Sequence, residues 1–421
     1  MLAKHKSINR KLRKQLKSIS QADIVVGIPS FNNYSTIGHV VDSVSAGILN
    51  HFPDSTTVIV NSDGGSSDGT PAIVMDRIAD KIPTVLVDHP IYTVHKISAL
   101  PIGIPGKGSA FKTIFRIAEI LGAKAVVVIE ADLRSISSEW VELLLSPILN
   151  NYYDFVSPLY QRHKYDGAIT NSIVYPLTRA LYGRPVRQPI GGEFAFSGQY
   201  VKHLLETVEF DSDIARHGID IWVTTTAIGS HFRICQSYLG SKVYESARRQ
   251  TDLSWLLTQV VTSLFYLMEK FESNWWNIDE SLPVPEYGKA SSASVEPVYV
   301  DLEGLVGGFR RGIANLIPVW RKFLGHECIE ELEVLSDSSV TSFSFPADLW
   351  VRIVYEFALA YHHRVMHPEH LIKSLTPIYL GWNAGFVNKS LNYESEEVEE
   401  IIEDICLEFA RQKSFLKTRW R

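Results

Sequence analysis

Between residues 23 and 132 the chain alternates short apolar runs with segments of helical spacing. IVVGIP reads as a buried strand, and Tyr34 to Leu49 has helix periodicity with a Ser35/Thr36 start. TTVIVN (56–61), TVLVD (84–88) and AVVVIEAD (125–132) predict three further strands, with helices over 71–80 and 109–121. Strands apolar on both faces and separated by helices predict βαβ units, hence an α/β fold with a mainly parallel sheet. In such folds function gathers at the carboxyl ends of the strands.

Residues 133–250 keep a mixed character, with FVSPLY, a helix around 169–182, QPIGGEFAFSG and the strand-like HFRICQSYLGSKVYE. Beyond about 250 the strand signals fade and helices are predicted over 252–273, 304–324, 346–366 and 394–416. LPVPEYGKASSASVEPVYV, between the first two, reads as a Pro/Ser-rich linker or long loop. The pattern therefore divides into a basic N-terminal helix over 1–20, an α/β domain over 21–250 and a helical domain over 251–421. No internal repeat is apparent.

Composition narrows the classes. With 421 residues, 45% hydrophobic, 21% charged, 26 Gly and 19 Pro, the chain is neither a disordered tail, a collagen repeat nor a coiled coil. A net charge of −6 argues against a general nucleic-acid binder. Cys235, Cys328 and Cys406 lie far apart with no CxxC pair, which sets aside a disulfide framework and a zinc ribbon. No apolar run approaches the roughly 18 residues of a membrane helix. The N-terminus has no apolar signal core, so a soluble, cytoplasmic protein is expected. Residues 1–20 carry seven Lys/Arg and no acid, with Leu12, Leu16 and Ile19 on one helical stripe. A solvated terminal helix is the plainer reading, and contact with anionic lipid or a partner is the other.

Four segments carry candidate chemistry. In Glu130-Ala131-Asp132, after AVVVI, two carboxylates two residues apart on a strand point to one side, and both can reach one divalent cation, Mg2+ or Mn2+. Such a metal completes its shell with phosphate oxygens and neutralises a departing diphosphate. In DGGSSDGT, Asp63 can accept hydrogen bonds from a ribose or base, while Ser66, Ser67 and Asp68 can cap the next helix. In PGKGSA, Lys107 sits between glycines ahead of a helix, a setting that suits a diphosphate, although GxxxxGK[ST] is absent. In QPIGGEF paired glycines let a ligand approach the backbone beside Glu193. Upstream, RHKYDGAIT offers Arg162, Lys164, Asp166 and Thr170, a set suited to a small carboxylate acceptor.

The order strand–PSFNN, strand–DGGSSDGT, PGKGSA, strand–EAD and QPIGGE resembles the nucleotide-sugar-dependent glycosyltransferases of the GT-A fold, which is Rossmann-like. Within them it is most similar to the retaining mannosylglycerate and glucosyl-3-phosphoglycerate synthases, over roughly residues 22–250. The resemblance implies that Glu130 and Asp132 hold the metal, and that Pro29, Asn33, Asp63, Lys107 and Ala131 hold the donor, a UDP-, GDP- or ADP-hexose. It places Thr170 on glycerate with Arg162 or Lys164 near the carboxylate, and Glu193 and Asp220 beside the sugar as the catalytic carboxylates. The chain departs from the family at three positions. Glu130 replaces the first aspartate of the DxD motif; Tyr244 stands at the third metal ligand, where the family has histidine, which leaves weaker metal binding, recruitment of Glu245 or His231, or a dispensable metal as the alternatives; and Ala168 stands where the phosphoglycerate enzymes have arginine. The last change favours unphosphorylated glycerate.

The implied activity is transfer of glucose or mannose with retention to D-glycerate or a similar hydroxy acid, giving a compatible solute. Retention can arise by front-face attack with the leaving phosphate taking the proton, or by double displacement through Glu193 or Asp220. A lipid or polysaccharide acceptor and a non-catalytic sugar-nucleotide-binding protein are the alternatives. A nucleotidyltransferase is disfavoured, because GIPSFNN lacks its GxGxR-like loop. In AYHHRVMHPEH, His363 and His367 at helical spacing can share a metal, with Pro368 ending that helix, but a polar helix face is the plainer reading. ESEEVEEIIEDICLEFARQKSFLKTRWR, acidic early and basic late, matches a terminal helix. The helical region is expected to buttress the catalytic domain or to form an oligomer contact.

Overall fold

The computed structural model describes residues 10–77, 82–89, 106–207, 218–245, 253–289 and 295–421, and every structural statement below concerns those residues. The chain forms two compact units. One comprises Met1–Gln161, Gln188–Thr251 and Val284–Val295; the other comprises Arg162–Arg187, Asp252–Pro283 and Glu296–Arg421. Segment 162–187 thus belongs with the helical residues, and the 284–295 stretch of the presumed linker belongs with the sheet.

The first unit is built on an eight-stranded sheet: β1 (Ile24–Ser30), β2 (Thr57–Asp63), β3 (Thr84–Asp88), β4 (Ala125–Val128), β5 (Phe155–Gln161), β6 (Phe194–Ser197), β7 (Ile234–Ser241) and β8 (Glu286–Tyr287). Their spatial order is β3-β2-β1-β4-β6-β5-β7-β8. β6 runs antiparallel to both β4 and β5, and every other pairing is parallel. All residues of β1, β2 and β4 are buried, as an apolar strand covered on both faces requires. One face packs Ile24, Val26, Ile28 and Val127 against helices Ile37–His51 and Ser138–Asn151. Gly27 points the other way, toward Ile114 of helix Lys107–Leu121. Phe111, Phe115 and Phe196 meet edge to face on that side.

Three local expectations change. β4 stops at Val128, so Glu130 and Asp132 lie in the turn beyond it and do not alternate along a strand. The N-terminal helix spans Arg10–Ile19, with Leu12 and Leu16 buried within the first unit and Gln15 bonded to the Thr84 carbonyl. Two of the three stripe residues that would face a lipid surface are therefore packed inside their own unit, and residues 1–9 lie outside the described segments. The helix containing the histidines ends at His362, and Pro368 opens a new helix, Pro368–Ser390, where a missing N–H costs nothing. His363 and His367 therefore share no helix face. His362 bonds Glu269 and stacks on Trp420, while His363 meets the Arg419 carbonyl.

The second unit packs helices Leu253–Lys270, Leu302–Trp320, His326–Ser336, Ala347–His362, Pro368–Ser390, Ser395–Arg411 and Lys413–Trp420. Trp350 stacks on Trp382 at 5.1 Å and donates its indole N–H to the Ser172 carbonyl at 2.9 Å. Ser172 sits in a single wide π turn, Thr170–Val174, which leads into helix Tyr175–Tyr182. That helix lies on Ser395–Arg411 through Tyr175, Val398, Ile402 and Cys406, with Arg179 paired to Glu403. Lys164 donates to the carbonyls of Ser390, Leu391 and Tyr393 at 2.7, 3.0 and 2.7 Å, satisfying the end of helix Pro368–Ser390. All three cysteines are free and buried. No described helix is long and apolar enough to cross a membrane.

A Cβ added at Gly47 would lie 2.5 Å from the Ser138 carbonyl and 2.8 Å from Val141. Gly47→Ala is therefore expected to push helices Ile37–His51 and Ser138–Asn151 away from each other and to lower stability by about 1–3 kcal/mol in urea unfolding. Lys164→Met removes the ammonium shared by the buried Ser390 carbonyl and the exposed Leu391 and Tyr393 carbonyls just beyond it, and is expected to lower Tm, with a loss of about 1–3 kcal/mol; an unchanged Tm would refute the capping role.

Candidate active site at the carboxyl edge of the sheet

The antiparallel direction of β6 decides which side chains meet. Its first residue lies at the same edge as the last residues of β4 and β5, the two strands it runs against. Glu130, two residues past β4, Glu193, one residue before β6, Tyr160, near the end of β5, and Lys242, one residue past β7, therefore gather along four neighbouring strands. The Lys242 ammonium lies 3.1 Å from Glu130 Oε2 and 2.8 Å from Glu193 Oε2, and it also donates to the Gly191 carbonyl at 2.7 Å. Tyr160 donates its hydroxyl to the same Glu193 oxygen.

Two helix starts complete the cluster. Lys107 is the first residue of helix Lys107–Leu121, and Asp220 is the second of helix Ile219–Gly229. Lys107 Nζ reaches Glu130 Oε1 at 2.9 Å and Asp220 Oδ2 at 2.8 Å. The result is an alternating chain of charge, Asp220–Lys107–Glu130–Lys242–Glu193. Burial pulls the Lys107 ammonium down, but Asp220 and Glu130 outweigh it and raise it above its ordinary value. Burial raises the Glu193 carboxyl, with Lys242 pulling back and Glu130 adding to the rise. Gly192 adopts φ +97°, and a Cβ there would lie 2.8 Å from the Glu130 carboxyl, so only glycine lets the two carboxylates pack this closely.

The turn carrying Asp132 is knitted to the segment that follows β7. Arg134 N–H bonds the Val243 carbonyl at 2.8 Å and Glu245 N–H bonds the Asp132 carbonyl at 3.0 Å, with Leu133 bridged to Tyr244. Tyr244 and Glu245 thus flank the turn. His231 precedes β7, at the opposite end of an eight-residue strand about 26 Å long, out of reach of this edge. Glu130 and Asp132 are both buried, and their hard oxygens suit a divalent cation whose other positions are filled by phosphate. Among the described residues no three His, Cys, Asp or Glu side chains are grouped to hold a metal by themselves.

The loops after β1 and β2 form one hydrogen-bonded block. Asp63 accepts from the hydroxyls of Ser30 (2.8 Å) and Ser66 (2.7 Å) and from the N–H groups of Gly65 (2.9 Å) and Ser66 (2.7 Å), so its carboxylate organises its own turn. Asp68 caps helix Thr70–Arg77 at the Thr70 N–H, while Ser66 and Ser67 pair with Asn32. Asn33 accepts from the Phe31 N–H and donates its own N–H to Thr70. The Ala131 carbonyl takes the Thr36 hydroxyl at 2.7 Å. Pro29 lies in β1 beyond Gly27, where the β4 ladder has ended, so its missing N–H leaves that ladder intact. Residue 105 of PGKGSA falls outside the described residues.

Arg162, Lys164, Asp166 and Thr170 belong to the second unit. There Arg162 lies 3.7 Å from Asp166, whose other oxygen accepts from the Gly167 N–H, Lys164 is held by helix-end carbonyls, and Thr170 is buried at the start of the π turn. Sequence reasoning misses Lys242 and Tyr160. Both stand at or just past strand ends, a visible signal, but only the direction of β6 shows that they face Glu193.

No protein-family profile and no curated protein matches the chain. Solved structures resemble it at a distance. Glucosyl-3-phosphoglycerate synthase from Mycobacterium tuberculosis, crystallised with Mn2+, UDP and glucosyl-3-phosphoglycerate, aligns at 20% identity and TM-score 0.42, covering 70% of this chain and 94% of that one. The same enzyme with Mg2+ and UDP aligns at 19% and 0.42, over 68% and 92%. A mycobacterial protein of unstated function aligns at 21% and 0.43, over 62% and 78%.

Proposed function

We propose that this chain is a glycosyltransferase that moves a hexosyl group, glucose or mannose, from a nucleoside diphosphate sugar to a small hydroxy acid such as D-glycerate. The observation that carries this reading is the cluster of two lysines and three carboxylates at the active edge of a mainly parallel sheet, with Asp132 buried in the turn beside it. Lys107 uses two N–H groups on carboxylates and has a third for a phosphate oxygen, at a helix start that favours anions. A divalent cation held by Glu130 and Asp132 would neutralise charge on the leaving diphosphate.

Glu193 Oε1 and Asp220 Oδ1 are buried and make no hydrogen bond among the described residues. Hydroxyl groups of a sugar are donors of the kind these oxygens lack. Glu193 has its other oxygen held by Lys242 and Tyr160, which suits fixing a sugar better than attacking it. That supports front-face transfer, in which the acceptor proton passes to the leaving phosphate. Ala168, in place of a phosphate-clamping arginine, supports an unphosphorylated acceptor.

A matrix of UDP-glucose, GDP-mannose and ADP-glucose against D-glycerate, 3-phosphoglycerate and buffer alone, with product anomericity read by NMR, tests the reading directly. Acceptor-dependent nucleotide release with an α-linked product is expected; no release from any donor would overturn it. Asp132→Ala and EDTA are each expected to lower the transfer rate by about 100-fold or more, in line with lost electrostatic stabilisation, and Mn2+ is expected to rescue only the second. Lys107→Gln is expected to weaken nucleoside diphosphate binding by about tenfold in calorimetry, the worth of one charge-assisted contact.

A further inference from the structure

Lys242 enters the function proposed above only as a hydrogen-bond donor to Glu193, and its full set of contacts says more. Its side chain is 4% exposed, and its three N–H groups are matched by three acceptors, Glu193 Oε2, Glu130 Oε2 and the Gly191 carbonyl. The rings of Tyr160 and Tyr244 lie 5.2 and 5.7 Å from the ammonium. The cluster therefore contains two lysines of different kinds. Lys107 keeps an N–H for a ligand, and Lys242 is saturated by the protein.

An ammonium in such a place must be fully hydrogen-bonded to be tolerated, and replacing a buried ion set as a whole by apolar side chains of similar size often serves stability equally well. What a cation supplies here is geometry. Glu130 and Glu193 flank the β4–β6 pair, and Gly192 lets them come close; without a positive charge between them they would repel. Lys242 ties one oxygen of each and leaves Glu193 Oε1 as a single acceptor fixed in direction.

We infer that Lys242 is a positioning residue for the transfer step, which holds Glu193 in place for the hexosyl group while Lys107 serves the diphosphate. The inference rests on the glycosyltransferase reading. It divides the two lysines by task, so the diphosphate and the sugar portions of donor binding respond to different substitutions.

The test is calorimetry of the full chain with Mn2+ and whichever of UDP-glucose, GDP-mannose and ADP-glucose the wild type binds, compared with the matching nucleoside diphosphate, together with kcat and KM. Lys242→Met is expected to keep nucleoside diphosphate affinity within about threefold, to abolish the extra affinity contributed by the sugar so that donor KM rises by the same factor, and to lower kcat by about 100-fold while leaving acceptor KM within about threefold, the pattern of lost positioning. Lys107→Met is expected to do the reverse to the diphosphate. Lys242→Met combined with Glu193→Gln removes the buried charges together and guards against a folding failure of the single variant. Its kcat is expected to lie within about twofold of Glu193→Gln alone, since residues acting as a unit are non-additive. Equal loss of diphosphate and sugar-nucleotide affinity in Lys242→Met, or an undiminished Lys242 effect in the Glu193→Gln background, overturns the inference and leaves the glycosyltransferase reading intact. Failure of the wild type to bind any of the three donors overturns that reading, and the inference with it.

Discussion

The first unit depends on the pairing of two ammonium groups, Lys242 buried and Lys107 half-buried, with three carboxylates at one sheet edge. Removing one partner from such a set leaves an uncompensated buried charge and costs about 3–5 kcal/mol, a large share of the roughly 5–15 kcal/mol that holds a domain together. The network is assembled by four strand ends and two helix starts, so the sheet register fixes its distances far more firmly than any loop could. A turn that allows Gly192 a positive φ, and the ending of β4 at Val128, are both conditions of its closing.

Much of the scaffold is legible in the sequence because apolar strands and amphipathic helices differ in period. TVLVD forms β3 without change, and IVVGIP and TTVIVN form β1 and β2 within two residues at each end. The failures have physical causes. AVVVIEAD looks like one long strand, but its partner β6 begins at Phe194, opposite Val128, and beyond that pair the backbone turns. Pro368 reads as a stop, since proline breaks a helix from within and also opens one, and local sequence does not distinguish the two at a histidine-rich junction. Domain borders are harder still, because segments 162–187 and 284–295 join units through contacts distant in sequence.

The candidate chemistry is legible by residue type and not by partnership. Glu130, Glu193 and Lys107 are visible as charges beside apolar runs, paired glycines or a predicted helix start, Asp220 enters only through the family resemblance, and the structure brings these four into one connected set. Asp63 shows the opposite: a carboxylate that suits a ribose on composition has both oxygens engaged by its own turn. Lys164 likewise carries a charge that suits an acceptor carboxylate, yet its ammonium completes a helix end. A charge signals chemistry only after local backbone demand has been met, and that demand is invisible until the chain is folded.

The contact between helix Tyr175–Tyr182 and helix Ser395–Arg411 has a bearing on biosynthesis. Arg179 meets Glu403 across 224 residues of sequence, and Tyr175 rests on Val398, Ile402 and Cys406. At about 5–20 residues per second on the ribosome, the earlier helix waits roughly 10–45 s for the surface that will cover it. During that interval its apolar face is a natural client for a holding chaperone, and closing so long a loop makes this docking a late event in maturation.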